Sequence, residues 1–342
     1  LKKLKKAITA QLGSPLSTAQ AFRWEIVVID NNSSDRTAAV VQQYQADCKE
    51  NVQESVPLRY YFEPQQGLAF ARRRAIQETQ SPLIGFLDDD TLPAVSWVAA
   101  AVHFGRQHPE VGAYGSSIQG LYEVPPPQGF ERIACCLAVI DRGEEPFQYA
   151  YDRGVLPAGA GMVIRRQAWL ERVPERPQLT GVCAGSLQAK GEDVETLSYI
   201  RRGWPIWHNP AMKLSHIIPK ERLEPGYLRH LYWRVGISRY ALRRLNYRPW
   251  LWPLMVALYF ISDLKKLLRK LVMIRQISTV ERCEFALLLG SLFSPFYHRS
   301  IPIPPQVFPP PKNTVAVTSA ADTTELQTIA PTVKATVTSG RS

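Results

Sequence analysis

The chain has 342 residues, enough to bury a full core and long for one compact domain. Its 45% hydrophobic and 21% charged content is that of an ordinary folded protein, which excludes a fibrous or wholly disordered chain. The net charge of +11 is concentrated: between Lys220 and Arg275 there are 13 Lys/Arg against 3 Asp/Glu, a net +10, so one basic region is implied rather than a generally basic protein.

The five cysteines, Cys48, Cys135, Cys136, Cys183 and Cys283, are odd in number and contain no C-x-x-C pair. That argues against a disulfide framework or a zinc site and fits a reducing compartment. No signal peptide is visible. Leu1 to Leu12 reads as a helix already under way, with apolar residues at Leu1, Leu4, Ile8 and Leu12. No strand or cap precedes it, so the chain is expected to be cut short at its start.

Trp24 to Asp30 is the clearest strand, β-branched and apolar, ending on a carboxylate. Asn31 to Asp35 is turn chemistry that can cap a helix over Thr37 to Ala46. Leu58 to Phe62 is a second strand, and Gly67 opens an Ala/Arg-rich helix through Thr79. Leu83 to Leu87 is a short apolar run suited to a strand buried on both faces. Asp88, Asp89 and Asp90 follow at once, and Pro93 stops the strand. Three adjacent carboxylates repel one another unless a cation or donors compensate. At the carboxyl end of a strand in an open α/β sheet, where ligands bind, a hard divalent ion such as Mg²⁺ or Mn²⁺ fits. A solvated acidic turn is the alternative reading. Ser96 to Gln107 is another helix and Val111 to Ile118 another strand. Helix and strand thus alternate through residue 120, which predicts a mostly parallel sheet with helices on both faces.

Phe130 to Ile140 is expected to be a helix. From Pro157, small residues that let backbone approach a ligand lead into a strand, and a helix follows over Ala168 to Val173. Gly191-Glu192-Asp193 introduces a helix over Val194 to Arg202. Pro205 to Trp207 and Met212 to His216 read as short extended pieces. Beyond Leu223 aromatics and arginines interleave. Trp250 to Ile261 and Phe285 to Phe296 are apolar runs of about a dozen residues each, short against the roughly 20 that a bilayer span needs. Beside a basic cluster, such helices fit interfacial attachment to an anionic leaflet; helices packed in the core are the alternative. No recognition motif accompanies the charge, so no nucleic-acid partner is expected. Residues 301–342, rich in Pro and then in Thr, Ala, Val and Ser, are expected to form a disordered tail.

Five stretches now stand in order: Glu25-Ile-Val-Val-Ile-Asp-Asn-Asn-Ser-Ser-Asp-Arg-Thr, Gln66-Gly-Leu-Ala-Phe-Ala-Arg, Gly85-Phe-Leu-Asp-Asp-Asp, Gly159-Ala-Gly and Gly191-Glu-Asp. Together they resemble the family 2 glycosyltransferases, over about residues 1–216, and in flavour the cyanobacterial hormogonium-polysaccharide glycosyltransferases. The resemblance implies the GT-A fold: an α/β catalytic domain over residues 1–220 with a mixed, mostly parallel sheet. Membrane-associated helices over 221–300 and the tail over 301–342 complete the expected organisation. The resemblance further implies an inverting transfer of one sugar from a nucleotide-diphosphate sugar to a lipid-linked or polysaccharide acceptor, at the cytoplasmic face of the membrane.

Roles for particular residues follow from the resemblance. Asp30, Asn31, Arg72, Asp88 and Asp89 would bind the nucleotide sugar. Asp88 and Asp90, with His216 as a third ligand, would hold Mn²⁺ or Mg²⁺ on the diphosphate. Asp193 matches the family's base, and Glu192 would orient the acceptor. For each, an ordinary structural role is the competing reading: a strand-end turn for Asp30, a solvated helix charge for Arg72, a helix N-terminal charge for Glu192 and Asp193, a core histidine for His216. Two departures stand out. The family's first, nucleotide-cradling strand is absent before Leu1, and Arg73 replaces the asparagine of its Ala-Arg-Asn step. The Gln-x-x-Arg-Trp element of processive synthases is also missing, which favours addition of a single sugar. A non-catalytic nucleotide-sugar-binding module on the membrane, or a sugar nucleotidyltransferase, is the alternative.

Overall fold

The computed structural model describes residues 22–50, 57–150, 155–181, 191–273, 278–299 and 332–339. In chain order the elements are β1 (Arg23–Asp30), α1 (Thr37–Glu50), β2 (Leu58–Phe62), α2 (Leu68–Glu78), β3 (Leu83–Asp88), β4 (Thr91–Pro93), α3 (Trp97–Gln107) and β5 (Ala113–Tyr122). Then come β6 (Phe147–Gln148), β7 (Met162–Arg165), α4 (Arg166–Arg172), α5 (Glu192–Ile200) and β8 (Ile206–Ile218). Four helices follow, α6 (Lys220–Leu223), α7 (Pro225–Arg244), α8 (Trp252–Met273) and α9 (Thr279–Arg299), and last a strand, β9 (Thr332–Ser339).

One sheet runs in the order β2-β1-β9-β3-β7-β5-β8-β4, with β6 beside β8. The half from β2 to β3 is parallel; β7 is antiparallel to both β3 and β5, while β5 and β8 are parallel. This is the mixed α/β architecture that the sequence led us to expect. Alternation along the strands explains its layers. From β1, Val27 and Ile29 face Ala71, Ala75 and Ile76 of α2; Ile26 and Val28 face Val41 of α1. From β3, Ile84 and Phe86 join the first layer, and Leu83 and Leu87 pack with Trp97, Val98 and Ala101 of α3. Gly85 is required there: a Cβ would stand 2.7 Å from the indole of the fully buried Trp97.

Several expectations are corrected. Phe130 to Ile140 is not one helix but two short 3₁₀ turns, Phe130–Arg132 and Ala134–Leu137, with Ala138 left-handed at φ 54°. The two extended pieces expected around Pro205 and Met212 are one strand, β8, joined through an irregularity opposite Ser116 and Ser117. Part of the tail, Thr332–Ser339, is not disordered: it forms β9, parallel to both β1 and β3 and lying between them. Residues 1–21 and 300–331 lie outside the described residues, as do the expected N-terminal helix and the rest of the tail.

The apolar runs near the C-terminus belong to longer helices, α8 with 22 residues and α9 with 21. Among the described residues no helix is long and apolar enough to cross a membrane. α7 and α9 cross closely because both lack a side chain at the contact. A Cβ on Gly236 would lie 2.5 Å from the Leu287 carbonyl oxygen, and one on Gly290 would lie 2.4 Å from that of Trp233. Their shared core, with Leu228, Leu231, Tyr232, Val280 and Cys283, also takes in Phe130, Ile133, Leu137 and Ile218, so the helices are seated directly on the end of the sheet.

Candidate active site

The acidic run sits where β3 ends. The turn after it is closed by the Thr91 hydroxyl donating to the Asp88 carbonyl at 2.6 Å. β4 then pairs with β8 so that Thr91 faces His216, and the Ile217 amide donates to the Asp90 carbonyl at 2.9 Å. That register is what brings a histidine 128 positions along the chain from Asp88 into the acidic corner. On the other side, the loop before β7 is tied to β3 by the Gly161 amide donating to the Phe86 carbonyl at 2.8 Å.

Asp193, in the first turn of α5, is drawn to that loop: its Oδ2 accepts from the Gly159 amide at 2.9 Å, and its Oδ1 from the Val194 amide at 2.8 Å. Arg72, only 2% exposed, comes from α2 and pairs with Glu192 at 3.0 Å. Gly159 stands between them: a Cβ there would lie 2.2 Å from Arg72 Nη2 and 3.1 Å from Asp193 Cβ. The small residues from Gly159 therefore admit the protein's own arginine and carboxylate.

Electrostatics binds these groups into one unit. Burial opposes the charge on Arg72, but Glu192, Asp193 and Asp88 outweigh it and hold the guanidinium above its ordinary pKa. Asp88 is pushed up, first by burial, with Asp90 and Asp193 adding to the effect against Arg72 and His216. Burial works on Asp90 in the same direction, yet His216 and Arg222 overcome it and hold that carboxyl low. Asp88, Arg72, Asp193, Glu192, Asp90 and His216 are thus neighbours.

Asp30 and Asn31 lie at the same end of the sheet. Asp30 aligns with Ser339 and Asp88 with Thr338 across β9, so they end strands about 10 Å apart, two ladder spacings. Asp30 is engaged locally, accepting from the Ser33 amide at 2.9 Å and the Tyr60 hydroxyl at 2.6 Å. Asn31 ties the following loop to the start of α2: its Nδ2 donates to the Gln65 carbonyl at 2.5 Å and its Oδ1 accepts from the Gly67 amide at 2.7 Å. Gly67, at φ 133°, cannot be replaced, since a Cβ would meet the Thr180 carbonyl oxygen at 2.4 Å.

The metal set expected from Asp88, Asp90 and His216 is not assembled as a cluster: among the described residues no group of three or more His, Cys, Asp or Glu is arranged to hold an ion. The physical reason is Arg222. Its Nη1 donates to Asp90 Oδ2 at 2.7 Å and lies 3.5 Å from His216 Nε2, while His216 Nε2 is 3.2 Å from the same Asp90 oxygen and its Nδ1 is 2.6 Å from the Leu137 carbonyl. A guanidinium takes the place of a cation. Even so, Oδ1 of Asp88 and Oδ1 of Asp90 are buried without a hydrogen-bond partner. Hard, acceptor-only oxygens left bare in this way suit a divalent ion.

Arg222 carries no motif and was invisible in the sequence. So was the role of Glu195, three residues beyond Glu192, whose carboxylate accepts from the Gln178 and Leu179 amides at 2.8 and 2.7 Å. It fixes the segment that leads to Gly181 beside Glu192. Burial pushes Glu195 up to about 7, against the two amides that favour its charged form. Native protein then holds a proton that the unfolded chain, near 4.5, has lost. Stability should therefore fall as pH rises from about 4.5 to about 7, by about 3 kcal/mol from this group. Urea titrations across that interval are expected to show a shallower fall in Glu195→Gln than in wild type; an equal slope would contradict the assignment.

Comparison with known proteins places these features. The family model described as glycosyl transferase family 2 matches residues 3–172. The putative teichuronic acid biosynthesis glycosyltransferase TuaG of Bacillus subtilis (strain 168) is 34% identical over 67 residues, which cover 20% of this chain and 24% of TuaG. Among solved structures, the mannosyltransferase PcManGT from Pyrobaculum calidifontis, in complex with GDP-Man and Mn²⁺, aligns at 14% identity and a TM-score of 0.48, over 86% of this chain and 94% of that one. S. aureus TarS 1–349 in complex with UDP aligns at 13% identity and a TM-score of 0.41, over 86% of each. The family match runs from before β1 through α4, just under half of the chain, and takes in the acidic run and Gly159, so over these residues the chain is similar to glycosyl transferase family 2.

Proposed function

We propose that this chain transfers one sugar from a nucleotide-diphosphate sugar to a lipid-linked or polysaccharide acceptor with inversion, in the synthesis of a cell-surface glycan. The observation that carries this reading is the meeting of Asp88, Arg72, Glu192 and Asp193 from three separate elements, β3, α2 and α5, in one largely enclosed corner. The family 2 match over residues 3–172 and the likeness to a putative teichuronic acid biosynthesis glycosyltransferase support it.

The residues divide the work by their chemistry. Asp193, held by two backbone amides that leave further lone pairs, is a carboxylate able to take the proton of an attacking hydroxyl. In an inverting transfer that base acts on the face opposite the departing nucleotide. Arg72 is spent on Glu192, so its task is to hold Glu192 and α5 in place beside Gly159. Asp88 and Asp90, with His216, would hold Mn²⁺ or Mg²⁺ once Arg222 leaves Asp90. Held there, such an ion would supply positive charge against the developing negative charge of a diphosphate leaving group.

We place the protein at the cytoplasmic face of an anionic membrane, attached through α8. Leu254, Leu258, Ile261, Leu268, Leu271 and Val272 make an exposed apolar stripe along that helix, and Lys265, Lys266, Arg269 and Lys270 accompany it. A helix that exposes apolar side chains with basic ones among them fits attachment at the interface of an anionic leaflet.

A panel of nucleotide sugars offered with Mn²⁺ and a membrane extract tests the reading. One donor is expected to release its nucleotide only when the protein is present. No release from any donor would contradict it.

A further inference from the structure

We infer that the groove between α7, α8 and α9 is a binding site for a single anionic lipid, its phosphate between Arg229, His230 and Arg282 and its chain along Trp233, Phe285 and Leu289. This deepens the membrane-face reading above and rests on it.

The groove has a volume of about 940 Å³. That is the size of a site for a drug-sized or larger molecule, not a packing fault. Its wall is apolar apart from the three basic side chains, and no carboxylate lines it. The acids of α9 lie on another side. Glu284 pairs with Arg132 at 2.6 Å and with Lys270, and together with Glu281 it lines a separate hollow with Lys266 and Arg269. Positive charge in the first groove is thus uncompensated from within, while that of α8 is partly neutralised. An apolar trough with cations only is complementary to a molecule that is apolar along its length and anionic at one end.

Two further observations fix the occupant as a lipid in a leaflet. Leu271 lines the groove and is also part of the exposed stripe on α8, so the groove opens onto the face that meets the bilayer. The groove also begins near the chemistry. Gly226, at its rim, follows Arg222 by four residues, at most about 14 Å of chain, and Arg222 holds Asp90. A lipid phosphate seated here would bring whatever it carries to the edge of the acidic corner.

The test uses the full chain with vesicles of phosphatidylcholine, alone or with one-fifth phosphatidic acid, the acid carrying a photoactivatable group on its acyl chain. Cross-links are expected on α7 and α9, within residues 226–233 and 282–289. They should be competed by unlabelled phosphatidic acid and not by inorganic phosphate, which separates a lipid from a free anion. Arg229→Gln with Arg282→Gln should reduce cross-linking about tenfold. Leu289→Trp, which fills the groove without changing its charge, should do the same. Lys265→Gln with Lys266→Gln should reduce vesicle sedimentation and leave the cross-link positions unchanged. Cross-links confined to the outer face of α8, or equal losses in all three variants, would overturn the site. Binding of nucleoside diphosphate by the wild-type chain, measured with Mn²⁺ and without vesicles, reports separately on the family 2 reading. Its absence would sink that reading and leave the lipid result standing.

Discussion

Asp193→Asn is expected to lower sugar transfer by two to four orders of magnitude, the usual worth of a positioned general base, while donor nucleotide binds within about twofold of wild type. Asparagine keeps the shape of the side chain and one acceptor oxygen. It cannot take a proton from a hydroxyl. Since Asp193 Oδ1 and Oδ2 both accept backbone amides, the amide group must turn one donor toward another. The variant should therefore also lose about 1–3 kcal/mol of stability, the penalty for one ill-matched buried group. Turnover and nucleotide affinity, measured on protein shown to be folded by its thermal transition, separate the two effects. Turnover within a few-fold of wild type would remove Asp193 from the chemistry.

Arg72→Met should destabilise the fold by about 3–5 kcal/mol, because it leaves buried carboxylates without their shared cation. Arg72 is fully enclosed, 3.0 Å from Glu192 and against the ring of Phe86. The loss has a signature that simple mispacking lacks. Asp88, already raised above its ordinary value by burial, loses the arginine that offsets it and rises further. A native pKa above the unfolded one means stability is lost as pH increases through it. The deficit of Arg72→Met should hence be smallest in acid and largest near neutrality. In the double variant Arg72→Met, Glu192→Met, removal of the second charge should recover part of the loss, so the two substitutions will not add. Urea midpoints for the four proteins of the cycle at pH 5 and pH 7.5 measure this directly.

What the sequence could disclose was set by how local each signal is. β1 and β3 were legible because four or five consecutive apolar residues, bounded by carboxylates and a turn, have few other places to go. Asp88 and Asp193 were singled out through the family's motifs, and in the structure both act on the charge of Arg72. Arg222 was not, since its partner Asp90 lies 132 positions away and no spacing relates them. Nor was the engagement of Arg72 with Glu192, across 120 positions. β8 was divided in two because Asn209 and Pro210 read as a break; register with β5 carries the strand through it. β9 was missed although Val333, Ala335 and Val337 alternate with Thr and Lys, because the Pro- and Thr-rich composition around that short run reads as a tail. Pairing with β1 and β3 on either side supplies what the local sequence lacks.

Calorimetric titration of UDP and GDP into the protein, with and without Mn²⁺, puts the convergent acidic corner to its most direct trial. Binding of one nucleotide is expected only with Mn²⁺, lost in Asp88→Asn and kept in Asp193→Asn. Nucleotide binding that ignores both the metal and Asp88 would contradict the account.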